Sequence, residues 1–182
     1  MTTRFCALLC DLVFTAALSK AANNQVEKKI RADYEGKVLT LRKFYAGERL
    51  RFGLDGQPIG EATIGPWTVD GQLRVKRIKL TDHILQIEAQ RLQLFFDPGL
   101  RQFRDVFSLA KDDKAWGLFR VPGQRQSGKE LAKLPRLEVE IEVTSVHPDA
   151  GEISTAMNAI FLGQEERLAD FVPDFWRAYF AK

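Results

Sequence analysis

A chain of 182 residues with 45% hydrophobic and 28% charged residues can bury one core but is short for two comfortable domains, and it lacks the apolar-poor composition of disordered proteins. Its formal net charge of +3 is spread thinly, with Lys and Arg interleaved with Asp and Glu from Glu27 onward. No basic stripe exists to follow a phosphate backbone, so nucleic acid is not an expected partner.

Taken in chain order, the first element reads as a leader. Arg4 precedes an apolar run from Phe5 to Leu18, and Ser19-Lys20-Ala21 offers small residues at a cleavage position, which is the layout of a secretory signal peptide. The run is shorter than the roughly 20 residues a membrane span requires, and Asp11 interrupts it. Residues 1–21 are therefore expected to be removed on export, leaving 22–182 as a single β-rich globular domain in the periplasm or cell envelope. Cys6 and Cys10 both fall in the leader, so the exported chain would carry no disulfide. Leu9 is larger than the residue that lipoprotein processing at Cys10 favours.

Val26, Ile30 and Tyr34 recur every fourth position among charged residues and predict an amino-terminal helix stopped by Gly36. From Lys37 the pattern changes to short alternating runs: Lys37 to Phe44, Glu48 to Leu54, Ile59 to Ile64, Trp67 to Val69, Leu73 to Leu80 and Ile84 to Phe96. Turn residues such as Asp55-Gly56, Gly65-Pro66 and Thr81-Asp82 separate them, as in an antiparallel meander whose neighbouring strands pair. In the second run Leu50, Phe52 and Leu54 face one way and Arg49 and Arg51 the other. The alternation slips in phase between Val75 and Ile78, and again between Ala89 and Leu92. Bulges at these points would bend the sheet toward a strongly coiled or barrel-like form.

Asp97 to Pro135 suits helix and strand equally, and Gln124 to Lys133 reads as a loop. Leu137, Val139, Ile141 and Val143 alternate with Glu138, Glu140, Glu142 and Thr144, the clearest strand signal in the chain. Asp149 with Glu152 forms a capping-box pattern ahead of Ile153, Met157 and Ile160, with Gly163 as the stop. A last helix opens at Pro173 and carries Phe175, Trp176, Tyr179 and Phe180. The fold class is α+β: a twisted antiparallel meander with one amino-terminal and two carboxy-terminal helices.

Few residues assemble into chemistry. Gly123 to Glu130 matches most of a phosphate-binding loop, but Glu130 stands where Ser or Thr would hold Mg²⁺ and Pro135 cuts the following helix short. His83 and His147 are the only histidines, too few for a His-rich zinc set, and neither a metal nor a cofactor is expected. Ser108, Ser127, Ser145 and Ser154 sit in no nucleophile-elbow pattern. Glu138, Glu140 and Glu142 share one strand face at about 7 Å spacing. One reading makes them the carboxylates of a hydrolase. The other makes them a solvated row facing Arg49 and Arg51, or Arg74 and Lys76, in a cross-strand charge ladder. A third class, an amphiphile-carrying β-barrel, is suggested by the 13 Phe residues and would need an apolar cavity of several hundred Å³. The carboxy-terminal aromatics Phe171, Phe175, Trp176, Tyr179 and Phe180 are packed core on one reading. On the other they are a candidate surface for an envelope protein or a membrane.

The continuous stretch Gly36 to Phe52, followed by Asp55-Gly56, Gly65-Pro66-Trp67-Thr68 and Arg74 to Leu80, resembles the amino-terminal extracytoplasmic domain of bacterial TonB-family envelope proteins. The resemblance runs from about Ile30 to Arg91 and returns with the acidic strand, the capped helix and Val172-Pro173-Asp174-Phe175-Trp176. It implies an envelope address and a β-rich interaction module. The TonB carboxy-terminal domain is not among these residues, so energy transduction is not carried over, and the resemblance assigns no catalytic residue.

Overall fold

The computed structural model describes residues 24–81, 83–97, 99–106, 138–144, 149–163 and 165–180. The leader, the Gly123 to Glu130 motif, the Gln124 to Lys133 stretch, His147, Ser108, Ser127 and Ser145 lie outside them.

Helix α1 covers 24–34 and buries the face its spacing defines: Ile30 enters the core, with Val26 and Tyr34 packed at its margin. Gly36 ends it at φ 78°, in the left-handed region where a side chain is penalised. Its N–H donates to the Val75 carbonyl at 2.9 Å, tying the helix end to the sheet.

Strands β1 (Val38–Thr40), β2 (Arg49–Phe52), β3 (Gln72–Thr81), β4 (Ile84–Arg91) and β7 (Glu138–Thr144) form a five-stranded sheet in the order β1-β3-β4-β7-β2, and β5 (Leu94–Asp97) with β6 (Gln102–Asp105) forms a second sheet. The α+β class holds, and β3 and β4 make the expected hairpin. The meander does not extend throughout, because β2 lies parallel to β7, with Leu50 opposite Ile141 and Arg51 opposite Glu142. Both faces of β2 find their complement there, apolar against apolar and Arg against Glu, which a pairing with its sequence neighbour β1 does not supply. The sheet remains open, with β1 and β2 at its edges, so it does not close into a barrel.

The first phase slip is a β-bulge. Val75 pairs with Ala89 and Arg77 with Glu88, leaving Lys76 as the extra residue; Leu73 and Val75 before it and Ile78 and Leu80 after it all reach the core. At the second slip the run from Ile84 to Phe96 divides instead. Leu92 still donates to the Gln72 carbonyl at 2.9 Å, after which the chain crosses to β5. Trp67 to Val69, expected as extended, lies instead in a single helical turn, α2 (Trp67–Asp70), entered from the extended N-cap residue Pro66.

Open edges invite pairing with other chains, and here they are covered. Ile59 donates to the Arg51 carbonyl at 2.7 Å and Pro58 bridges Phe52, so the run Ile59 to Ile64, read as a strand, belongs to an irregular edge guard. On the other side, Leu162 donates to Thr40 at 2.8 Å and Arg42 to Ile160 at 3.0 Å. Where β3 extends beyond β1, Glu35 accepts from the Ile78 N–H at 2.8 Å and Glu27 from the Leu80 N–H at 3.3 Å. Arg31 joins the two carboxylates at i±4.

The Ile78 hydrogen bond, with help from Arg31 and Arg77, holds Glu35 below the usual glutamate range. A depressed folded pKa contributes stability above the ordinary Glu value that is lost as pH falls through the folded one. Glu35→Gln is therefore expected to lower the melting temperature at pH 7, with the gap to wild type narrowing steadily below about pH 4, as thermal melts across that range would record.

Helix α3 (Ala150–Ile160) starts at Asp149, whose carboxylate accepts from the Gly151 N–H at 2.8 Å, and buries Ile153, Ala156, Met157 and Ile160. It does not run to Gly163: Phe161 is extended, buried and bridged to Leu41, so a tertiary contact overrides the glycine signal. Arg42 secures this end, giving Nε to the Asn158 carbonyl at 2.7 Å and its two Nη groups to the Glu166 carboxylate at 2.7 and 2.6 Å. That fork, with the Gly163 N–H, keeps Glu166 below its ordinary pKa. A 3₁₀ turn (Leu168–Asp170) and helix α4 (Asp174–Arg177) follow; the last helix, expected to carry Tyr179 and Phe180, stops at Arg177, and these two lie in the turn that closes the described chain.

Candidate interaction surface

The second sheet and the carboxy-terminal segment are joined by rings. Alternation along β5 and β6 places Phe96 directly opposite Phe103, with centroids 5.4 Å apart. Trp176 sits 5.3 Å from Phe96 and 5.1 Å from Phe103. Tyr179 meets Phe96 edge-on at 4.8 Å, and Phe180 stacks on Phe103 at 5.0 Å with 9° between the planes. Trp67 of α2 closes the layer at 4.7 Å from Phe103 and 5.5 Å from Phe180. These separations and tilts lie in the favourable range for aromatic pairs.

The five carboxy-terminal aromatics thus divide. Trp176, Tyr179 and Phe180 are half-buried members of the ring layer, which is the packing alternative. Phe175 touches Trp176 at 5.1 Å but is 69% exposed, and Phe171 is 39% exposed. Leu100, at the β5–β6 turn, is 52% exposed. Three of the six exposed large hydrophobics of the described residues therefore belong to this end of the molecule. Beside Leu100, Arg101 holds a positive φ of 51° and lays its guanidinium 5.8 Å from the Tyr179 ring centroid. Sequence reasoning missed Leu100, Arg101 and the inner partners Phe96, Phe103 and Trp67, because their proximity to the last helix is a product of tertiary folding.

The acidic row becomes the charge ladder. Arg49 lies 3.5 Å from Glu140, Arg51 3.3 Å from Glu142, and Lys76 2.5 Å from Glu138. Lys76 is the bulge residue, and a bulge re-aims its side chain. Arg74 does not join the row and lies 3.9 Å from Asp105. Part of the ladder lines an open groove of about 800 Å³ together with Glu48, Glu88, Asp70 and Arg91. Most residues around it are charged and it is open to solvent, whereas an amphiphile carrier calls for an enclosed apolar wall.

At one side of that groove, Arg91 and Asp70 form a buried ion pair at 2.9 Å. Arg91 also donates to the Tyr45 and Gly47 carbonyls at 2.9 and 2.7 Å and to the Asp70 carbonyl at 3.3 Å. Burial pushes the Asp70 carboxyl up, partly offset by Arg91, and pulls Arg91 down, partly offset by Asp70. Nη1 is directed at Asp70 and Nη2 at the Tyr45 and Gly47 carbonyls, so the pair joins β4, α2 and the 45–47 loop. Among the described residues, no group of three or more His, Cys, Asp or Glu could hold a metal ion, and no helix is long and apolar enough to cross a membrane. His83 stands exposed at the β3–β4 turn, and Ser154 lies on the exposed face of α3.

Compared with protein-family models, curated proteins and solved structures, the chain matches none.

Proposed function

We propose that this chain is an exported interaction module of the cell envelope that acts by binding, and that its contact surface is the rim of the carboxy-terminal aromatic layer. The observation that carries this reading is the division of the aromatics: an inner set spent on packing, beside Phe175, which stands mostly in water, and Phe171, which is partly exposed. A single exposed apolar residue needs no explanation, whereas several gathered on one packed layer mark interaction sites. The apolar run ahead of Ser19 and the TonB-family resemblance supply the address. The carboxylates Glu138, Glu140 and Glu142 are each committed to a basic partner, which favours binding over hydrolysis.

Cell fractionation of the tagged full chain tests both halves. The wild type is expected in the envelope fraction, and Phe171→Ser/Phe175→Ser is expected to be exported with an unchanged melt but to leave that fraction on mild washing. A cytosolic wild type contradicts the address. Equal retention of the two contradicts the surface.

A further inference from the structure

Resting on that reading, we infer that the partner of the aromatic rim is an anionic membrane surface, met by Phe175 and Leu100 as apolar anchors and Arg101 as the cationic contact. Phe175, 69% exposed, is the second residue of α4, and Leu100, 52% exposed, sits at the β5–β6 turn. Phe175 is linked to Arg101, the chain neighbour of Leu100, through touching groups: Arg101 lies over Tyr179 at 5.8 Å, Tyr179 is 5.6 Å from Trp176, and Trp176 is 5.1 Å from Phe175. Behind the anchors stand a half-buried Trp and Tyr, the side chains that settle at the boundary between headgroups and acyl chains.

Charge selects the lipid. Arg101 has no carboxylate partner among the described residues, and its one described contact is the Tyr179 ring. On α4, Arg177 is paired with the exposed Asp174 at 3.0 Å, so that pair adds no net charge and Arg101 is the cation the rim offers. An arginine free to leave its ring for a phosphate, beside projecting apolar residues, matches a negatively charged leaflet. A protein hot spot is instead usually a large side chain fitted into a desolvated pocket of its partner.

The test uses the full chain with a reporter on the rim, since the apolar leader would itself attract lipid. An environment-sensitive fluorophore is placed at Ala178→Cys, or at Glu61→Cys on the 53–65 segment as control, both in a Cys6→Ser/Cys10→Ser background. With phosphatidylglycerol vesicles, the 178 reporter is expected to shift to the blue and the 61 reporter to stay unchanged. Phosphatidylcholine vesicles are expected to give little shift. Leu100→Ser/Phe175→Ser is expected to weaken the response by at least about tenfold, and Arg101→Ala by about fivefold, with circular dichroism confirming the fold. No shift at 178, an equal shift on neutral vesicles, or a shift indifferent to these substitutions would overturn the inference. If that happens while Phe171→Ser/Phe175→Ser still loses envelope retention, the partner is a protein and the interaction-module reading stands. Loss of both results removes the reading itself.

Discussion

Arg91→Met is expected to destabilise the fold by about 3–5 kcal/mol, the range for breaking a buried ion pair on one side. The variant leaves the Asp70 carboxylate buried without its cation and three carbonyls, those of Tyr45, Gly47 and Asp70, without a donor. For a chain of this size the loss corresponds to a melting temperature lower by roughly 6–20 °C. Its pH dependence has a definite sign. Burial already raises Asp70, and removing Arg91 raises it further, so the folded state holds a proton that the unfolded state has released. Stability then falls as pH rises above the ordinary Asp value, and the variant should suffer most at neutral and alkaline pH and recover in part toward pH 4. Arg91→Met/Asp70→Asn should be more stable than Arg91→Met at pH 8. A double variant no better than the single one would mean that the pair's worth lies in the carbonyl contacts alone.

The second large effect is expected at the ring layer. Phe103 meets Trp67, Phe96, Trp176 and Phe180, so Phe103→Ala removes the ring on which β6, α2 and the carboxy-terminal segment converge. A loss of about 3 kcal/mol is expected, the low end for Phe→Ala because the site is half-buried rather than sealed. Phe175→Ala should change stability by no more than about 0.5 kcal/mol, since a side chain mostly in water gives up little on truncation. Urea unfolding of the two variants side by side reads this contrast. Comparable losses would mean that Phe175 belongs to the packed layer and is not available for contact.

Local pattern carried much of this arrangement. The 3.6-residue spacing of Val26, Ile30 and Tyr34, the strict alternation from Glu138 to Thr144 and the cap at Asp149 are each sufficient within a dozen residues, and each element appears where its pattern places it. The bulge at Lys76 was legible as a phase slip for the same reason. What the pattern did not contain was pairing across distance. Nothing near Arg49 says that β2 will run parallel to a strand ninety residues on, although matching charges on the two strands hinted at the ladder. Trp67–Asp70 is too short for periodicity to separate a turn of helix from a strand. Buried Arg91 left no local signal, because the carbonyls that satisfy it come from the 45–47 loop and from α2, both distant in sequence. The candidate surface was half legible: the carboxy-terminal aromatics were evident, but their division into packed and exposed members depends on β5 and β6 meeting them.

The most direct test of that division is photo-crosslinking in intact cells from a reactive group at position 175, with position 61, also exposed, as the control. Adducts with envelope components, lipid or protein, are expected from 175 and none above background from 61. Absence of adducts from 175, in a chain that is exported and folded, would contradict the claim that this rim is a contact surface.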